Sequence, residues 1–148
     1  MIVNILKLIY YLGKFINNLI FYLVNLRNNY YMFIAANWKM NLDKKSIKSF
    51  VEHLKNYNFS KNVQLCIFPP TIYIDFLSKL IKNIPISIGG QNCHHQSFGA
   101  FTGEISAISL KEFGCDYVIL GHSERRIYNK ETNESIKKCA QFGICLLY

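Results

Sequence analysis

Two short segments carry residue types that could do chemistry. In Asn37-Trp38-Lys39-Met40-Asn41, an apolar run ends in an amide and an ammonium two positions apart. Side chains alternate along a strand, so Asn37 and Lys39 are expected to share one side of the strand's end. An ammonium on a flexible stem is a point charge suited to a phosphate or a developing oxyanion. In Gly121-His122-Ser123-Glu124-Arg125-Arg126, an imidazole follows a second apolar run, with Ser123 placed to cap a following turn and Glu124 within that turn. A helix N-terminus presents free N–H groups and a partial positive charge, which favours a neutral His122 ring able to donate a hydrogen bond to a carbonyl. Glu124 is expected to pair with a base, either Lys39 or Arg125. By themselves an Asn-x-Lys and a single His after a strand are common surface or structural features, so their meaning depends on what positions them.

The elements that must position them alternate in type. Phe33 to Trp38 reads as a buried strand. Asp43 is placed as an N-cap, and Ile47, Phe50, Val51 and Leu54 follow the spacing of a helix with one apolar face. Val63 to Phe68 is a second strand, and after Pro69 and Pro70 the residues Ile72, Phe76, Leu77, Leu80 and Ile81 mark a second helix. Ile86 to Gln91 is a third strand. A Gly-rich polar loop follows, then a short helix ending near Phe113 with Gly114 at its C′ position. Tyr117 to Gly121 is a fourth strand, Thr132 to Phe142 a helix, and Gly143 to Tyr148 the opening of a fifth strand. Strands apolar on both faces, alternating with helices, require right-handed crossovers and a parallel sheet covered by helices. The fold class is α/β, and in parallel α/β folds chemistry gathers at the C-terminal ends of the strands, where both segments fall.

The chain has 148 residues, 51% of them hydrophobic and 18% charged, which fits one globular domain and excludes a disordered acidic or low-complexity segment. Its net charge of +8 is unevenly placed: the first 31 residues hold Lys7, Lys14 and Arg27 and no acid. The remaining +5 is scattered among fourteen bases and nine acids, and no basic helix or aromatic-basic strand motif suggests a nucleic-acid partner. Five cysteines, odd in number and without a Cys-x-x-Cys pair, argue against a disulfide framework or zinc ribbon and suit a reducing cytoplasm. Cys93-His94-His95 is a poor metal site, because adjacent ligands seldom converge on one ion and no further ligand is spaced to complete the set.

Residues 1–31 stand apart as an apolar N-terminal extension. Asn4, Lys7, Lys14, Asn17, Asn18 and Asn25 would line up as a narrow polar stripe on a helix, a pattern suited to a membrane surface or a protein groove. A membrane span is disfavoured, since Lys14 would lie near mid-bilayer at a cost of ~3 kcal/mol. The alternative expectation is that the stretch is no part of the folded domain and reflects an early start of translation, Met32 standing directly before the first strand.

Four motifs stand in one order: Ala36-Asn37-Trp38-Lys39-Met40-Asn41; Gly90-Gln91-Asn92; Gly99-Ala100-Phe101-Thr102-Gly103-Glu104; and Tyr117-Val118-Ile119-Leu120-Gly121-His122-Ser123-Glu124-Arg125-Arg126. Together they resemble the triosephosphate isomerase family, over Met32 to about Tyr148, the N-terminal half of that family's barrel. The resemblance implies a parallel (β/α) barrel of the TIM type and interconversion of dihydroxyacetone phosphate and glyceraldehyde 3-phosphate through an enediolate. It implies that Asn37 and Lys39 bind substrate, that Lys39 stabilises negative charge, and that His122 polarises the carbonyl and shuttles protons. It further implies that Glu124 holds Lys39, with Ser123 nearby, and that the loop carrying Thr102, Gly103 and Glu104 enters a second subunit to form a homodimer. No metal or organic cofactor is implied.

A full barrel of this type takes about 250 residues and eight strands, so the expected architecture here is incomplete, with about four βα units and the start of a fifth strand. The family's strand-six glutamate, closing loop and later phosphate-binding amides have no counterpart in the 148 residues. A carbon-bound proton needs a positioned base, and Glu124 and Glu104 are committed elsewhere. The chain as it stands, read as a truncated or partial isomerase sequence, is therefore expected to have little or no isomerase activity. The other class considered is a non-catalytic, membrane-attached fragment that keeps a phosphate-attracting Lys39 pocket. An opened barrel would also leave its first and fifth strands as edges and favour association.

Overall fold

The computed structural model describes residues 19–26, 29–141 and 145–147, with side chains described over 32–141. A single sheet runs β1 (Leu19–Leu26), β2 (Asn29–Asn37), β3 (Val63–Phe68), β4 (Ile86–Gly90), β5 (Cys115–Ile119) and β6 (Cys145–Leu147), in chain order from edge to edge. From β2 to β6 every pairing is parallel. Four connections carry helices: α1 (Lys44–Lys55); a 3-10 turn at Thr71–Tyr73 leading into α2 (Ile74–Leu80); α3 (Ala107–Glu112); and the pair α4 (Ser123–Tyr128) and α5 (Asn133–Ala140). This is an incomplete α/β barrel of the TIM type, as the strand-helix alternation implies.

Both faces of the sheet are buried, by different partners. Ile34 and Ala36 of β2, Leu65 and Ile67 of β3, Ile88 of β4 and Val118 of β5 pack outward against Ile47, Phe50, Val51 and Leu54 of α1 and against Ile74, Leu77 and Leu110. The alternate positions Phe33, Ala35, Cys66, Phe68 and Ile119 form a second cluster on the inner face, with Tyr117 against it. That division is the period of two read in three dimensions. Helix ends obey local rules: the Asp43 carboxylate accepts from Ser46 N at 2.7 Å, Ser106 caps α3, and Thr132 with Ser135 forms a reciprocal capping box on α5. Gly114, at φ 83°, ends α3 in the left-handed conformation expected at its C′ position.

Two expectations are corrected. Leu19–Leu26 is a strand, not a helix: it pairs antiparallel with β2, from Leu19 opposite Ala36 to Leu26 opposite Asn29, and β2 itself starts at Asn29 rather than Phe33. The Ile-, Leu-, Tyr- and Phe-rich composition that can coat a helix also suits an extended chain, and the unpaired edge of β2 supplies the hydrogen-bond partners. The first parallel strand is consequently no free edge. Residues 1–18, where the rest of the polar stripe lies, fall outside the described residues. Among the described residues no helix is long and apolar enough to cross a membrane.

Candidate active site

The geometry of the first segment is set where β2 stops. Trp38 is buried against Phe50 in an edge-on contact, ring centroids 5.4 Å apart, and the chain turns immediately afterwards, Asn41 N donating to Trp38 O at 3.1 Å. Lys39 takes φ 51°, a left-handed conformation uncommon in a residue with a side chain. Strain of this kind persists only where surrounding bonds over-determine it. Here Asn37 Oδ1 accepts from Lys39 N at 2.9 Å, and Gln91 Nε2 donates both to Lys39 O at 2.8 Å and to Phe68 O at 2.9 Å. The strand period alone does not bring Asn37 and Lys39 together, since Lys39 lies beyond the strand. The clasp between them does.

The second segment arrives on the far side of the same opening. Gly121, at φ 65°, turns the chain out of β5, and α4 starts at Ser123. The cap of this helix is His122, not Ser123: His122 Nδ1 accepts from Glu124 N at 3.2 Å. Ser123 is exposed and does not line the opening. With Nδ1 serving as acceptor, the ring proton of neutral His122 resides on Nε2. Lys39 Nζ donates to Glu124 Oε1 at 2.5 Å, which selects Lys39 over Arg125 as the glutamate's partner. Arg125 instead binds Glu131, its Nε 2.5 Å from Oε1.

Asn37, Lys39, His122 and Glu124 thus border one cavity of about 340 Å³ at the C-terminal ends of β2 and β5. Gly103 and Glu104 of the long loop border it as well, whereas Thr102 is exposed and does not. Asn37 is 6% exposed. With its oxygen committed to Lys39, its Nδ2 remains a donor for a bound group. Gln91 also borders the cavity, and the sequence marked it only as part of a motif. A strand-end amide directly after the Gly89-Gly90 pair is the available signal, but its two backbone partners lie 52 and 23 positions away and cannot be read from spacing. Among the described residues no group of three or more His, Cys, Asp or Glu side chains is placed to hold a metal ion. His94 stacks on Phe101, ring centroids 4.2 Å apart, and its Nδ1 accepts from Gln96 N.

The hydrogen bond from Lys39, helped by the charge of its ammonium, holds the Glu124 carboxyl below its ordinary value of 4.5, although partial burial acts the other way. A carboxyl depressed in the folded state favours folding above its ordinary range, and that contribution is lost as pH falls through the lowered value. Carbon-detected NMR titration should therefore place Glu124 below 4.5, and Lys39→Met should return it to the ordinary range. An unchanged midpoint in the variant would mean that the ammonium does not control the carboxylate.

The triosephosphate isomerase family model matches residues 32–144. Curated relatives named triosephosphate isomerase include those of Finegoldia magna, 46% identical over 105 residues, and Saccharomyces cerevisiae, 40% identical over 112 residues. A third, from Buchnera aphidicola, is 48% identical over 109 residues. These alignments cover 71%, 76% and 72% of this chain and 42%, 45% and 42% of the respective relatives, so the chain spans less than half the length of the proteins it matches. With the parallel strand-helix architecture and the shared Lys39–His122 cavity, this match places the chain in the triosephosphate isomerase family.

Proposed function

We propose that the chain serves the interconversion of dihydroxyacetone phosphate and glyceraldehyde 3-phosphate, supplying the electrophilic side of the site. The observation that carries this reading is the convergence of the Lys39 ammonium and the His122 ring on one cavity, each fixed by Glu124. When a proton leaves the carbon beside the substrate carbonyl, negative charge moves onto oxygen. A fixed N–H donor and a fixed cation stabilise that charge more than they stabilise the neutral ketone. His122 Nε2–H donates to the carbonyl oxygen and can pass a proton between the two oxygens of the enediolate. Lys39 and the Asn37 amide bind the anionic substrate, and Glu124 keeps the ammonium directed into the cavity.

The partner in this reading is a second copy of the chain. Phe98 and Met40, 80% and 94% exposed, present apolar surface beside the loop Gly99–Glu104 and beside Lys39. That loop would carry Thr102 toward the partner. The compartment is the cytoplasm, where the described cysteines Cys66, Cys93, Cys115 and Cys139 stay as thiols.

Taking a carbon-bound proton needs a base within reach. Among the described residues two carboxylates border the cavity: Glu124, engaged by Lys39, and Glu104, on the loop. Glu124 is held by Lys39 and Glu104 lies on the loop assigned to the partner subunit, so residues 1–148 by themselves are expected to bind the triose phosphate and scarcely turn it over. The test uses dihydroxyacetone phosphate in D2O. Amide shifts should centre on residues 37–39 and 121–125, while deuterium incorporation at C1 stays at the buffer rate. Binding without involvement of these residues would overturn the assignment of the site. Exchange well above buffer that disappears in His122→Gln would show that a base is present after all.

A further inference from the structure

We propose that a second cavity, at the opposite end of the sheet, is a binding site for a small anion bearing an aromatic or apolar body. It lies where α1 and α2 end and the chain returns to β3 and β4, so the length of the strands separates it from Lys39 and His122. Its volume is about 400 Å³, within the range of roughly 300–1,000 Å³ typical of small-molecule sites. Leu54, Leu80 and Ile84 form an apolar floor. Tyr57 and Phe59 stand over it edge to face, with centroids 5.0 Å apart, and offer aromatic edges and faces to a planar ligand.

The rim is cationic, with Lys55, Lys79 and Lys82 bordering the cavity and no acid among its lining residues. Lys55 bonds Glu52 at 2.7 Å and Lys79 bonds Asp75 at 2.6 Å, each within its own helix and on exposed surface. Such pairs are weak and screened, so an ammonium can turn to a bound anion with little loss. Lys55 and Lys79 also complement the negative ends of α1 and α2. Lys82 has no such explanation: it stands in the loop after α2 and has no ion-pair partner among the described residues. Burial pushes the Tyr57 phenol above its ordinary value of 10.0, so it stays uncharged and does not repel an anion at neutral pH.

The test titrates 1-naphthyl phosphate into the full chain, following amide shifts, with inorganic phosphate and neutral 1-naphthol as separate arms. Saturable shifts are expected over residues 54–59 and 79–85, with each separate arm binding at least ~10-fold more weakly than the combined molecule. Lys82→Glu, an exposed substitution checked for folding by circular dichroism, should weaken binding at least ~10-fold, and His122→Gln should leave it unchanged. Shifts confined to the surroundings of Lys39 and His122, equal binding of 1-naphthol, or unchanged affinity in Lys82→Glu would each overturn the proposal. So would the absence of saturation.

Discussion

Replacing Lys39 with methionine should weaken binding of dihydroxyacetone phosphate by roughly 10- to 150-fold, the equivalent of ~1.5–3 kcal/mol for a hydrogen bond to a charged group. The loss has two parts. The ammonium no longer meets the phosphate or the carbonyl oxygen, and Glu124, whose partner is gone, faces an anionic ligand with its own negative charge. The second part is separable, because Lys39→Met combined with Glu124→Gln removes the repulsion and should recover a fraction of the affinity. Arginine should not substitute for the lysine. Its rigid fork and different reach do not reproduce a point charge leaving a backbone at φ 51°. Folding should change little, since an ion pair with side chains 24% and 45% exposed contributes ~1 kcal/mol or less to stability. A titration in which Lys39→Met binds within ~3-fold of the unmodified chain would remove Lys39 from the site.

Sequence and structure agree where the physics is local. The unbroken apolar run Phe33-Ile34-Ala35-Ala36 and the helical spacing of Ile47, Phe50, Val51 and Leu54 state directly that both faces of the strand and one face of the helix must be covered, and the structure covers those faces. The Asp43 cap and the Gly114 terminus are equally local, each decided by one side chain or by its absence. Sequence and structure part where the outcome depends on a partner distant in sequence. Leu19–Leu26 has a composition compatible with helix or strand, and the free edge of β2 decides between them. For Lys39, strand alternation predicts a side, but the turn that directs the residue is held by Asn37 and by Gln91. His122 takes the cap that the hydroxyl of Ser123 was expected to supply, because an imidazole nitrogen one position earlier reaches the Glu124 amide. Spacing alone left Lys39 and Arg125 equal as partners of Glu124. Glu131 resolves that choice by occupying Arg125.

The inner face of the sheet carries a contact whose removal should have the largest effect on folding. Ile67 pairs with Ile88 across β3 and β4, so Phe68 and Gly89 are neighbours one step further along. The Phe68 ring is fully buried and lies over Gly89, in the space a Cβ there would occupy. A Cβ on Gly89 would also stand 2.9 Å from the Tyr117 carbonyl oxygen, a backbone atom that cannot yield as a side chain can. Gly89→Ala should therefore cost ~1–3 kcal/mol or more as overpacking, and Phe68→Ala ~3–5 kcal/mol as a cavity. The two changes are complementary: truncating the ring opens the space that the new methyl needs. The double variant should consequently be more stable than the sum of the single losses implies, by ~0.5–3 kcal/mol. Full recovery is not expected, because the Tyr117 carbonyl stays in place and a methyl fills only part of the volume of a phenyl ring. The loss should also reach the site, since Phe68 O accepts from both Trp38 N and Gln91 Nε2, the groups that hold the turn at Lys39. Urea unfolding of the four proteins, with amide shifts of residues 37–39 followed in parallel, measures both effects. Strictly additive losses would show that Phe68 and Gly89 do not share that space, and an undisturbed Lys39 turn in Phe68→Ala would uncouple the inner core from the rim.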